Sequence, residues 1–212
     1  MQKIVLAIGP ESSGTRVLTR VLSAHPQICG TSDAEKHADV LDDVWYAIEK
    51  GRLATAETLF PRTDAPVILT RRSMPHGIKP GKPAKYCHFA KLDQFREVVH
   101  LSGRRLVVLV TVRNPIANLA SWSTQRASAG RDISKAFVQY EESFNYLFRF
   151  LRGSKTPFMV APLESLILDK LDYINCMFKA LGVDPLQEID YEPRIGVNKK
   201  HYEWYMQNGV VL

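Results

Sequence analysis

Apolar and polar positions along the chain fall into blocks of two kinds. Four short runs are apolar almost throughout: residues 3–8, 66–70, 105–112 and 157–161. Their length and their content of Val and Ile predict strands, and the run Arg105-Leu-Val-Val-Leu-Val-Thr-Val112 predicts one buried on both faces of a parallel sheet. Between these runs, apolar residues recur at helical spacing over 14–24, 37–50, 53–60, 92–101, 134–152 and 169–181. The 134–152 segment carries Phe137, Tyr140, Phe144, Leu147 and Leu151 on one side. Asn114-Pro115 opens a further helix with proline at its first position, and Gly182 stops the last one. Pro75, Gly77, Pro80, Gly81 and Pro83 predict a loop from 73 to 84. No repeat or low-complexity segment interrupts the alternation. The pattern predicts a three-layer α/β fold with a central, mainly parallel sheet, in a single domain over residues 1–212. Ligands of such sheets bind outside the carboxyl ends of the strands. That directs attention to the junctions after residue 8 and after residue 112.

The first junction reads Gly9-Pro-Glu-Ser12-Ser13-Gly14-Thr15-Arg16. A strand, a Gly/Ser loop and a helix start together build an anion cradle, because loop N–H groups and the unpaired donors of the first helical turn converge. The spacing is that of the triphosphate P-loop, G-x-x-x-x-G-K-[ST], with Gly9 and Gly14 in place. Thr15 stands where that motif has its lysine. This modified P-loop can hold a phosphate but lacks the cation that reaches the outer phosphates of a triphosphate. The same residues also suit a plain strand-to-helix turn in which Gly and Ser act as turn and cap. Gly14 is expected in an exposed turn, where substitution removes binding and leaves the fold. At the second junction, Arg113 stands at the end of a strand and Ser121 lies eight residues on. A guanidinium there needs an anion, and its planar fork suits a phosphate. The other partner open to it is a structural carboxylate, with Ser121 then only a small helix residue.

Composition narrows the ligand. The chain has 45% hydrophobic and 24% charged residues, as an ordinary soluble globular protein does. No run approaches the roughly 18–20 apolar residues of a membrane span. The apolar stretch near the N-terminus is shorter than the roughly 7–15 residues of a signal peptide core, and it reads as the first strand. Cys29, Cys87 and Cys176 are odd in number and far apart, which argues against a disulfide framework and a metal cluster. They are expected to be buried, inert thiols, and a cytoplasmic location follows. The net charge of +6 points to an acidic ligand. The basic residues come in scattered pairs, Arg71-Arg72, Arg104-Arg105 and Lys199-Lys200, rather than as a nucleic-acid-binding arm. A small polyanion suits them at least as well.

Taken together, the two junctions resemble those of the sulfotransferases that use 3′-phosphoadenosine 5′-phosphosulfate (PAPS). Ser13, Gly14, Thr15 and Arg16 match most of that family's modified P-loop. Arg113, Ser121 and Trp122 match its R-x7-S element and the aromatic that follows. Leu22-Ser-Ala-His25-Pro26, Pro162-Leu-Glu164-Ser-Leu166 and Phe178-Lys-Ala-Leu181-Gly182 are similar to further family segments, so the resemblance covers roughly residues 3–200. It implies that Ser12, Ser13, Gly14, Thr15 and Arg16 hold the 5′-phosphosulfate. It places Arg113 and Ser121 on the 3′-phosphate, and Arg194 and Lys199 in a basic segment that closes over the nucleotide. It implies in-line transfer of a sulfuryl group to a hydroxyl or amine of a small-molecule, lipid or saccharide acceptor, with no metal and no nucleic acid.

The chain departs from the family at Ser12, where a lysine or arginine is usual, and at Val17, where cytosolic members stack an aromatic on adenine. The missing cation is expected from Arg16 or from Arg71, in a strand similar to the family's Lys-Thr-His-Leu-Pro. For the base that takes the acceptor proton, Glu35 sits about where the glycosaminoglycan branch carries its glutamate, with His37 beside it. His76 follows three residues after Ser73, which occupies the histidine position of cytosolic members. Two other readings stay open. A P-loop kinase of small molecules needs a magnesium carboxylate at the end of a second strand, where Val112-Arg113-Asn114 offers a cation. A non-catalytic nucleotide-binding protein would keep the fold and lose the chemistry.

Overall fold

The computed structural model describes residues 1–30, 39–74, 76–77, 87–125 and 133–189. Its centre is strand β1 (Lys3–Pro10), apolar on both faces from Ile4 to Ile8 and buried along that length. Helix α1 (Thr15–Ser23), strand β2 (Ile28–Cys29), helices α2 (Asp42–Glu49) and α3 (Leu53–Thr58), and strand β3 (Val67–Met74) follow. A short pair, β4 (His76–Gly77) and β5 (Cys87–His88), forms a separate antiparallel two-stranded sheet. Then come α4 (Leu92–Leu101), β6 (Arg105–Val112), α5 (Pro115–Gln125), α6 (Ile133–Ser154), β7 (Phe158–Pro162), α7 (Leu163–Leu168) and α8 (Lys170–Leu181). The main sheet has five strands in the order β2-β3-β1-β6-β7, all paired in parallel.

Alternation along β1 divides the core. Ile4, Leu6 and Ile8 pack with α2, α3, α4 and α6 through Trp45, Ile48, Phe95, Val98 and Leu147. Val5 and Ala7 point the other way, onto Leu18 and Leu22 of α1 and Ile174, Phe178 and Leu181 of α8. This is the expected three-layer α/β arrangement. The chain leaves β1 toward β3 on one side, and β6 continues to β7 on the other. The strand order therefore switches direction beside β1, and a crevice opens at the carboxyl ends of β1 and β6.

The strands expected at 3–8, 66–70, 105–112 and 157–161 all form. Helices form in each expected segment, with α4 and the strand β6 at the expected bounds, but α2 begins only at Asp42; residues 39–41 are not helical and 37–38 lie outside the described residues. Two further expectations need correction. Ser73 and Met74 are not loop. They extend β3, because Ser73 and Met74 stay in register with Gly9 and Pro10 of β1, and His76–Gly77 then pairs with Cys87–His88. Cys176 is exposed on α8 rather than buried, and Cys29 is only partly covered. Among the described residues no helix is long and apolar enough to cross a membrane.

Candidate anion-binding site

At the crevice, β1 and β6 approach so closely that only glycine is accommodated at position 9. A Cβ there would overlap the Thr111 carbonyl and hydroxyl. The loop that follows has two residues in left-handed backbone, Ser12 at φ 67° and Gly14 at φ 94°. Loops that include left-handed residues are a common source of backbone anion-binding concavities. Gly14 is also the N-cap of α1, and no side chain caps that helix. The first turn of α1 thus presents donors with no intrahelical partner, at the positive end of the helix dipole. Beneath the loop, three hydroxyls meet. Ser13 Oγ lies 2.7 Å from Thr111 Oγ1, Thr15 Oγ1 lies 3.1 Å from the same atom, and Ser13 and Thr15 are 3.3 Å apart. The Ser12 hydroxyl is shielded from solvent and lacks a hydrogen-bond partner among the described residues.

Gly14 is not the exposed, freely substitutable turn expected from the sequence. A Cβ there would come within 2.7 Å of Leu163 Cδ1, at a φ that a side chain strains. Substitution at Gly14 therefore strains the cradle's backbone and pushes the tip of the Leu163 side chain aside.

The second junction lies alongside. Asn114 caps α5, its Oδ1 accepting the Ala117 N–H at 3.1 Å, and Pro115 follows at the first helical position. The cap fixes Arg113 at the mouth of β6. One nitrogen of its fork, Nη1, donates to the Ser12 carbonyl at 3.2 Å. Glu164, in the first turn of α7, accepts the Asn114 N–H at 2.9 Å. Burial draws the Arg113 guanidinium below its ordinary value, and the nearby Glu164 carboxylate opposes that. A half-dry cation of this kind gains from an anion that replaces its lost water. Glu164 also acts on Tyr140, whose hydroxyl is pushed up first by burial and then by that carboxylate.

The structure therefore brings Ser12, Ser13, Gly14 and Thr15 together with Arg113. Arg16 is exposed on the first turn of α1. Ser121 is buried two turns into α5. Trp122 is wholly buried in a small cluster with Leu119, Ala136 and Tyr140, so it serves the α5–α6 interface. Arg71 lies in β3 opposite Ala7, and its backbone N–H donates to the Asp39 carboxylate at 2.8 Å. His76 belongs to β4, opposite His88, but its side chain lies outside the described residues, as do Glu35, His37, Arg194 and Lys199. Sequence reasoning missed Thr111, Asn118 and Glu164. Thr111 reads as one more position of an apolar strand, and only the pairing of β1 with β6 shows that its hydroxyl meets the loop.

No protein-family model matches the chain, and no curated protein sequence matches it. Solved structures do. A sulfotransferase from Alicyclobacillus acidocaldarius superimposes at TM-score 0.53 with 14% identity, covering 98% of this chain and 93% of that one. The sulfotransferase domain of the Synechococcus PCC 7002 olefin synthase superimposes at 0.50 with 15% identity, covering 95% of this chain and 77% of that one. At such identities the likeness concerns architecture and not activity. The chain has a sulfotransferase-like α/β fold.

Proposed function

We propose that this protein is a PAPS-dependent sulfotransferase that moves a sulfuryl group onto a hydroxyl or amine acceptor by in-line displacement. The observation that carries the reading is the contact between the two anion elements. Arg113 Nη1 donates to the carbonyl of Ser12, the residue whose left-handed backbone begins the cradle. A nucleotide with anionic groups on both its 5′ and 3′ positions uses a helix-terminal cradle and an arginine fork side by side. The uncapped start of α1 and the orphaned Ser12 hydroxyl suit the 5′ end, and Arg113 with Ser121 is assigned the 3′-phosphate.

When bound, PAPS supplies a sulfuryl group that is already activated, so the protein's work is positioning and charge stabilisation. Gly14 leaves room for close approach, and Thr15 offers its N–H and hydroxyl. Arg16, with Arg71 as second candidate, offsets charge on the departing phosphate oxygen. Arg194 and Lys199 are assigned to closing over the nucleotide. We assign the acceptor's proton to Glu35, with His76 as runner-up. Turnover separates them. Glu35→Gln is expected to stop transfer while nucleotide affinity is kept, and a fully active Glu35→Gln enzyme would hand the role to His76. The acceptor class is a small molecule, lipid or saccharide, and the location expected is the cytoplasm.

The kinase reading is weakened by Thr111. Kinases with a P-loop hold magnesium with a carboxylate near this position, whereas here the side chain meeting the loop hydroxyls is neutral and Arg113 follows. Thermal unfolding tests the choice. Adenosine 3′,5′-bisphosphate at a hundred times its dissociation constant stabilises by roughly 2.7 kcal/mol, a rise of roughly 5–10 °C for a chain of this size. A rise with ATP–magnesium alone would favour the kinase, and no rise with either would sink both.

A further inference from the structure

Asn118 lies on the buried face of α5, with no exposed surface. A buried amide must find partners for both its ends. In the amide orientation that satisfies both ends, its nitrogen donates to the Glu11 carbonyl at 3.1 Å and its oxygen accepts the Ser13 N–H at 3.1 Å. These two bonds straddle Ser12. That residue holds φ 67°, a conformation disfavoured for any residue with a side chain. Something in the surroundings must hold it there. Asn118 grips the backbone on both sides of it, and the turn closes through the Ser13 N–H to the Pro10 carbonyl at 3.1 Å.

The same helix also sets Arg113. The Asn118 N–H donates to the Asn114 carbonyl at 2.9 Å in the first turn that Asn114 caps. Arg113 is the residue just before that cap, and its Nη1 reaches the Ser12 carbonyl. Helix α5 thus holds the loop through Asn118 and the arginine through its own N-terminus.

We propose that Asn118 is the positioning residue of the anion site. Its amide clamps Glu11 to Ser13 so that the cradle and the Arg113 fork are already aligned before an anion arrives. The Ser13 N–H is engaged by the clamp and by the Pro10 carbonyl, so the loop donors that face the ligand begin with those of Gly14 and Thr15. The proposal rests on the functional reading for the identity of its probe, adenosine 3′,5′-bisphosphate.

The test is calorimetric titration of that nucleotide into the wild type, Asn118→Ala, Ser12→Gly, and Asn118→Ala combined with Ser12→Gly. Two amide hydrogen bonds lost together cost roughly five- to a hundredfold in affinity, from about 0.5–1.5 kcal/mol each at about 1.4 kcal/mol per tenfold. Asn118→Ala is expected to weaken binding in that range. Glycine takes positive φ without a steric penalty, so with Ser12→Gly titrated alone to measure the loss of the Ser12 hydroxyl, the double variant is expected to bind more tightly than the two single losses combined predict, which independent roles for the two residues would not give. If Asn118→Ala binds as tightly as the wild type, the proposal is overturned and the functional reading stands. If the wild type itself does not bind, both fall. If Asn118→Ala does not fold, amide exchange in the wild type decides. Asn118 side-chain N–H protons protected without nucleotide, and unshifted on titration while the Gly14 and Thr15 amides move, support the clamp. Exchange as fast as that of an open loop overturns it.

Discussion

Arg113→Ala is expected to weaken adenosine 3′,5′-bisphosphate by roughly 10- to 150-fold while adenosine 5′-phosphate binds nearly as before. The range follows from about 1.5–3 kcal/mol for one hydrogen bond to a charged group, at about 1.4 kcal/mol per tenfold. Arg113 is 8% exposed and partly stripped of water, so an anion it meets is not competing with a full hydration shell. One fork nitrogen donates to the Ser12 carbonyl, which orients the guanidinium toward the loop after β1. Arg113→Lys restores the charge without the planar fork and is expected to recover only part of the affinity. Titrations in which Arg113→Ala and the wild type show the same preference between the two nucleotides would remove Arg113 from the site.

A second large effect concerns the fold beside the site. Asp39→Ala is expected to destabilise by about 3 kcal/mol, the lower end of what breaking a buried charge pair costs. Asp39 accepts the Thr70 hydroxyl at 2.6 Å, the Arg71 N–H at 2.8 Å and the Leu41 N–H at 3.0 Å. Its carboxylate lies 3.9 Å from Arg72 Nη1. Arg72 is itself buried, stacked 4.7 Å above the Trp45 ring, and pulled below its ordinary value by desolvation against the pull of Asp39 and Asp42. Asp42, half exposed, keeps a 3.0 Å bond to Arg72 Nη2 when Asp39 is gone. That partner holds the cost near the lower figure, a fall of roughly 6–12 °C in melting temperature. Asp42→Ala removes a wetter partner and is expected to cost less. A melting temperature for Asp39→Ala within a degree or two of the wild type would contradict this account of the buried network.

These residues show where the sequence is legible and where it is not. The two strand-to-helix junctions announce themselves because a glycine loop and a strand-ending arginine are local signals, each contained in fewer than ten residues. The buried strands are legible for the same reason, as unbroken apolar runs. The three-hydroxyl cluster is not, since Ser13 and Thr111 are 98 residues apart and meet only through the register of β1 with β6. Asn118 looks like an ordinary polar position on a helix until the Glu11–Ser13 backbone is placed against it. Arg71-Arg72 reads as a basic pair available to a ligand. The structure puts Arg72 into the core with Trp45 and Asp39, because alternation along β3 sends it to the same face as Ile68 and Met74. Pro75 and Gly77 suggested a loop from 73, but pairing with Gly9 and Pro10 outweighs that local preference and carries β3 on to Met74.

The central claim is that the loop after β1 and Arg113 after β6 hold one nucleotide by two of its phosphates. Calorimetry on the wild type in metal-free buffer, comparing adenosine 3′,5′-bisphosphate with adenosine 5′-phosphate, measures it most directly. The account predicts binding of both without added magnesium and a preference of at least about tenfold for the bisphosphate, set by the charged hydrogen bond of Arg113. Equal affinity for the two nucleotides, or binding that requires magnesium, would contradict it.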